Sequence, residues 1–125
     1  MTRSESINQA TPILSSRGVY IIRNIVNGMK YVGSTRHTFF YRFGQHLKDL
    51  ELRRHHNFLL QRDYNNVGMS GFELDVLEEC DASACVEREQ FWINELKPEY
   101  NIRNNQKSGA PLGYRIRIRE KMNLR

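Results

Sequence analysis

Between Gly18 and Thr35 the apolar and polar positions alternate in a way that predicts a β-hairpin. Val19 to Asn24 and Met29 to Gly33 are rich in β-branched and aromatic residues, which suit a pleated, half-buried surface. Asn27-Gly28 separates them, and this pair favours a tight turn because both residues tolerate positive φ. A two-residue loop there pairs Tyr20 with Thr35 and Tyr31 with Asn24. Both tyrosines then share one face, ~13 Å apart along the ladder at ~3.3 Å per residue. A turn nearer Ile25-Val26 brings them opposite each other, so the register stays open.

Downstream the period changes. FFYRFGQHLKDLELR carries Phe39, Phe43, Leu47 and Leu50 at helical spacing, with Gly44 as a weak point. A second short helix is predicted over Phe58 to Asn65, and Asn66 to Gly71 reads as a break. FELDVLEE alternates Phe72, Leu74 and Val76 with Glu73 and Asp75, a strand pattern. A third helix, about Ser83 to Leu96, has Ser83 as its candidate N-cap and stops before Pro98. The order strand, strand, helix, helix, strand, helix predicts an α+β fold, a small three-stranded and mainly antiparallel sheet flanked by helices. The chain of 125 residues divides into an arm (1–16), one domain (17–101) and a basic tail (102–125).

Charge adds a partner to this picture. The net charge of +5 is unevenly spread: residues 17–62 hold nine Lys or Arg against Asp49 and Glu51, and residues 63–101 hold ten acids against Arg88 and Lys97. Residues 102–125 hold seven basic residues against Glu120. Two basic segments around an acidic one suit a polyanionic partner such as nucleic acid, or a solvated surface. In the tail, Arg115, Arg117 and Arg119 alternate with Tyr114, Ile116 and Ile118, so a strand there would present three arginines on one face. Two cysteines, Cys80 and Cys85, are too few for a disulfide scaffold or a four-cysteine zinc site. No apolar run approaches the ~20 residues that span a bilayer, and the start lacks an apolar signal core, so an intracellular, cytoplasmic protein is expected.

Three places stand out chemically. Strand tyrosines such as Tyr20 and Tyr31 ordinarily serve packing. Arg42 and His46, four apart on the first helix, project together as surface residues or as a phosphate clamp. Glu89 lies with Cys85, Trp92 and Leu96 on one face of the third helix. A carboxylate on that stripe needs a partner, either an arginine (Arg42 or Arg88) or a hard divalent cation.

GVY at 18–20 and YVG at 31–33 resemble the paired signature of the GIY-YIG nucleases, with Val in place of Ile. Arg42 with His46 is similar to that family's arginine helix, VEREQFWINEL to its glutamate helix, and KPEYN to its closing segment with Asn101. The closest flavour is the catalytic domain of phage and intron homing endonucleases. The resemblance spans residues 18–101 and implies metal-dependent hydrolysis of DNA, with one Mg²⁺ or Mn²⁺ held by Glu89. It implies that Arg42 offsets transition-state charge, that Tyr20 is the general base directly or through His46, and that Tyr31 orients water or phosphate. Asn101 would orient phosphate or brace Tyr20, and His55 or His56 would fill a further polar position. Arg36, Lys48, Arg115, Arg117 and Arg119 are the candidate DNA contacts. The implied setting is a phage-encoded protein inside a bacterial host, with a homodimer as one route to double-strand cleavage. The alternatives are a binding module of the same fold without strong catalysis, a restriction-type or single-strand-specific nuclease, and a small interaction domain whose charge is incidental.

Overall fold

A computed structural model describes residues 13–108. Three strands, β1 (Gly18–Asn24), β2 (Lys30–Thr35) and β3 (Phe72–Glu79), form an antiparallel sheet in the order β2-β1-β3. Helices α1 (Phe39–Glu51) and α2 (Phe58–Val67) join β2 to β3, and α3 (Cys85–Leu96) and α4 (Glu99–Ser108) follow β3. The predicted α+β class and its element order hold, with α4 as an addition.

Each boundary has a local cause. Thr38 caps α1 by accepting the Tyr41 amide at 3.0 Å, and Asn57 caps α2 by accepting the Leu60 amide at 3.0 Å. Gly68 ends α2 at φ 74, and Lys97 ends α3 in the left-handed region just before Pro98. Ser83 is not a cap: residues Ala82–Ala84 form a 3₁₀ turn and α3 begins after it, with no side-chain cap. Polar residues after Asn101, read as the start of a tail, continue α4 as far as Ser108.

The hairpin is wider than a two-residue turn. Asn24 and Met29 close it by a 2.8 Å backbone bond, and the Asn24 carboxamide accepts the Val26 and Asn27 amides. Only Gly28 of the Asn-Gly pair has positive φ, at 82. Ile22 therefore faces Tyr31, and Tyr20 faces Gly33. The Asn24 carboxamide holds a four-residue loop, residues 25–28, which shifts the pairing by two residues and brings the tyrosines near each other.

The sheet separates two apolar clusters. Tyr20, Ile22 and Tyr31 face α1 and α2 with Phe39, Leu50 and Leu60, and Val19, Ile21 and Val32 face α3. β3 serves both sides by alternation, with Val76 in the first cluster and its neighbour Leu77 in the second, and a bulge opposite Val19 and Tyr20 shifts its register against β1. His46 occupies the α1 stripe between Phe43 and Leu50 and is 1% exposed, so the core takes it where the pattern suggested a surface residue. The arm through residue 12, and Arg115, Arg117 and Arg119 in the tail, lie outside the described residues.

Candidate active site

Tyr20 comes from the central strand and lies across the neighbouring strand at Gly33. A Cβ on Gly33 would stand 2.5 Å from the Tyr20 hydroxyl and 2.7 Å from its Cζ. The glycine of YVG is thus the space in which Tyr20 lies. The glycine of GVY does comparable work on the other side, where a Cβ on Gly18 would fall 2.0 Å from the Glu78 carbonyl oxygen. Tyr31 shares the face of Tyr20, and their ring centroids are 6.5 Å apart.

A directed chain of hydrogen bonds ends on Tyr20. The Asn57 backbone amide donates to His55 Nδ1 at 3.0 Å, and an amide has no other role. Neutral His55 therefore carries its proton on Nε2 and donates to His46 Nδ1 at 2.7 Å. Neutral His46 in turn carries its proton on Nε2 and donates to the Tyr20 oxygen at 2.5 Å. Arg42 Nε donates to the same oxygen at 3.2 Å, so two donors converge on one phenol. Arg42 is held by Gln45, whose Oε1 accepts from Nη1 at 2.9 Å, and Gln45 reaches on to the Tyr41 hydroxyl.

Burial sets the charge state of this chain. It pushes His46 down to about 2, helped by Arg42 and the two neighbouring imidazoles. It pushes His55 down to about 4, with His56 adding to the effect. Both rings are neutral at physiological pH, as the tautomers require. Burial also raises Tyr20 and Tyr31 above the ordinary phenol value. At Tyr31, the Arg42 charge and hydrogen bonding from Tyr20 and Arg42 pull the other way.

Glu89 reaches the same region from the opposite layer. β2 is an edge strand, so Tyr31 on one face and α3 behind the other meet around it. One Glu89 oxygen accepts the Ser34 hydroxyl at 2.5 Å. Neither expected arginine pairs with it: Arg88 binds Glu78 at 2.9 Å, and Arg42 is committed to Tyr20 and Gln45. A cleft of about 390 Å³ lies in front, lined by Tyr31, His56, Asn57, Glu89 and Asn101 among others. Among the described residues no group of three or more His, Cys, Asp or Glu is arranged to hold a metal. The other Glu89 oxygen has no protein partner among the described residues, and beside the cleft it still fits a hydrated Mg²⁺ that takes one carboxylate and substrate phosphate.

Asn101 does not brace Tyr20. Its carboxamide pairs with both backbone groups of Val32, accepting from N at 2.9 Å and donating to O at 2.8 Å. Glu99 accepts the Lys30 amide at 3.0 Å, so the start of α4 covers the free edge of β2. Of the two candidate histidines, His55 is buried against His46, and exposed His56 lies 3.2 Å from the Tyr31 hydroxyl. Arg36 and Lys48 are exposed, outside this hydrogen-bonded group. Ser34 and Gln45 gave no signal in the sequence, because each takes its role from one partner distant in the fold.

Residues 16–101 match the family model described as the GIY-YIG catalytic domain, and the chain belongs to this nuclease family. Among individual proteins, it is 42% identical over 86 residues to Intron-associated endonuclease 1 of Enterobacteria phage T4, covering 67% of this chain and 34% of that protein. The chain thus spans about a third of the length of this curated relative. The catalytic domain of homing endonuclease I-TevI has 36% identity and a TM-score of 0.61, over 82% of this chain and 99% of the other. A mutant of the same catalytic domain gives 37% identity and a TM-score of 0.62, over 81% and 93%.

Two outcomes follow from the geometry. Gly33→Ala must displace a buried ring and should lower stability by about 1–3 kcal/mol, as overpacking does. Gly44→Ala, with open space at its Cβ on an exposed helix turn, should instead raise stability by about 0.5–1 kcal/mol. Urea midpoints check both, and equal shifts would refute the close approach at Gly33. The histidines give the second outcome. Unfolded imidazoles titrate near ~6.5, so below that pH the unfolded chain binds protons that folded His46 and His55 refuse. Their contribution is complete above about pH 6.5 and is lost as pH falls toward about 4 and below. The urea midpoint should already decline between about pH 6.5 and 5, above the carboxylate range, and a flat midpoint there would contradict the neutral pair.

Proposed function

We propose that the chain is a divalent-metal-dependent endonuclease that hydrolyses DNA phosphodiester bonds, of the homing type that phages and mobile elements encode. The observation that carries this reading is Glu89, a carboxylate that borders the Tyr31 cleft with a hydroxyl rather than an arginine as its partner. Glu89 would hold one Mg²⁺ or Mn²⁺. The ion, when bound, supplies positive charge for the scissile phosphate and its leaving oxygen.

The chain's own residues would share the remaining work. Tyr20 has no exposed surface and its oxygen already receives two N–H donors, which suits a positioning role. Tyr31 lines the cleft and lies against exposed His56, which suits the general base. In this reading the Tyr31 proton passes to His56 Nε2 and on to solvent. The phenolate then takes a proton from water as the water oxygen bonds to phosphorus, the bond from phosphorus to the leaving oxygen breaks, and that oxygen takes a proton from solvent. Arg42 offsets the charge that develops at phosphorus, and Asn101 keeps the β2 edge in place. Arg36, Lys48 and the tail arginines Arg115, Arg117 and Arg119 would contribute positive charge for DNA in an intracellular, phage-infected setting. A double-strand break would need a homodimer or two successive nicks.

Plasmid nicking with Mg²⁺ or Mn²⁺ tests this reading. Glu89→Gln and Tyr31→Phe should each lower kcat about 10²–10⁴-fold, the scale of a lost general base. Tyr20→Phe, which removes a positioning hydroxyl rather than the base, should cost only about tenfold in kcat, ~1.4 kcal/mol of barrier. Wild-type cutting by Glu89→Gln would remove the metal site. A larger loss in Tyr20→Phe than in Tyr31→Phe would reverse the tyrosine roles.

A further inference from the structure

A second cleft, about 500 Å³, adjoins the first along α2. Its walls are Arg53, Arg62, His55 and His56, the side chains of Gln61, Asn65 and Asn66, and Phe58, with no carboxylate among them. Phe58, Gln61, Arg62 and Asn65 fall at helical spacing on one face of α2, opposite the loop that carries Arg53. His56 lines both clefts and joins them. The chemistry of these walls is that of a phosphodiester backbone site: guanidinium groups for phosphate, amides for sugar and phosphate oxygens, and one aromatic ring 53% exposed.

Charge pairing within the cleft is incomplete. Arg62 binds Asp63 at 2.9 Å, and Asp63 also accepts the Tyr100 hydroxyl at 2.7 Å. The Arg53 guanidinium forms no ion pair among the described residues. Arg53 also has φ 59, a left-handed conformation uncommon outside glycine and asparagine, which turns the chain after α1. Arg23 is paired with Glu73 and Asp75, Arg54 with Asp49, and Arg88 with Glu78, whereas Arg17 and Arg36, like Arg53, form no ion pair among the described residues.

We propose that the Arg53–Arg62 cleft binds the DNA strand immediately beside the bond to be cut, and that Arg53 contacts one of its phosphates. This rests on the DNA reading above and adds a location to it. A strand whose scissile phosphate stands before Glu89 continues past His56 into this cleft.

The test measures binding and cutting separately. Binding of a fluorescein-labelled 30-base-pair duplex to the Glu89→Gln protein is followed by anisotropy from about 50 to 200 mM salt, and each lost phosphate contact should reduce the log–log salt slope by about 0.9. Arg53→Asn, which keeps a residue at ease in the left-handed conformation, should weaken binding about three- to tenfold and show that slope change. Arg53→Lys should restore most of both. Arg23→Asn removes the same charge far from the cleft and should change neither. Wild-type affinity and slope in Arg53→Asn, or an equal loss in Arg23→Asn, would overturn the proposal. Cutting by the otherwise unmodified chain is scored in parallel. A protein that binds with the predicted Arg53 dependence but never cuts would refute the nuclease reading and leave the cleft standing. Cutting with no Arg53 dependence of KM would do the reverse.

Discussion

The Tyr20 hydroxyl has no contact with solvent, so every hydrogen bond it makes must be found inside the protein. Its oxygen accepts two, from His46 and from Arg42, and its own proton goes to Tyr31. That arrangement places demands outward in every direction. His46 must sit in the α1 core stripe and stay neutral, which requires His55 behind it. His55 must hold one tautomer, which the Asn57 amide at the start of α2 imposes. Arg42 must be held by Gln45. On the strand side, residue 33 must lack a Cβ. Two strands and two helices are thus tied to one buried oxygen.

The second organising feature is the edge position of β2. A central strand would keep Tyr31 and Glu89 on separate faces of the sheet, each sealed under its own helices. At an edge the two layers can meet, and Ser34 on β2 itself ties the Glu89 carboxylate to the strand. An exposed edge is also a hazard for pairing with other chains. Glu99 and Asn101 answer that by binding Lys30 and Val32, which explains why a short polar segment after Pro98 belongs with the site.

Much of this was legible in the chain because it rests on local pattern. Periodicity located the strands and helices, and Glu89 was conspicuous as a charge on an apolar stripe. The hairpin register was not legible, since the Asn24 side chain competes with the Asn-Gly signal for control of the loop. The burial of His46, left open between a surface residue and a phosphate clamp, was not legible, because an imidazole in a core stripe is tolerable only with histidine and tyrosine partners. Those partners come from β1 and the loop after α1, and nothing in the spacing of Tyr20, His46 and His55 announces that they touch. Of the two roles read for Asn101, bracing Tyr20 is not its contact, because what it binds is the Val32 backbone, which has no signature in the sequence.

The one-way hydrogen-bond chain is the centre of this account, and ¹⁵N chemical shifts of the histidine rings report it directly. At neutral pH, His46 and His55 should both be neutral with the proton on Nε2 and an unprotonated, accepting Nδ1. Protonation of either ring on Nδ1, or an imidazolium signal from His46, would contradict the account, because a protonated Nδ1 can no longer accept the bond that fixes the direction of the chain.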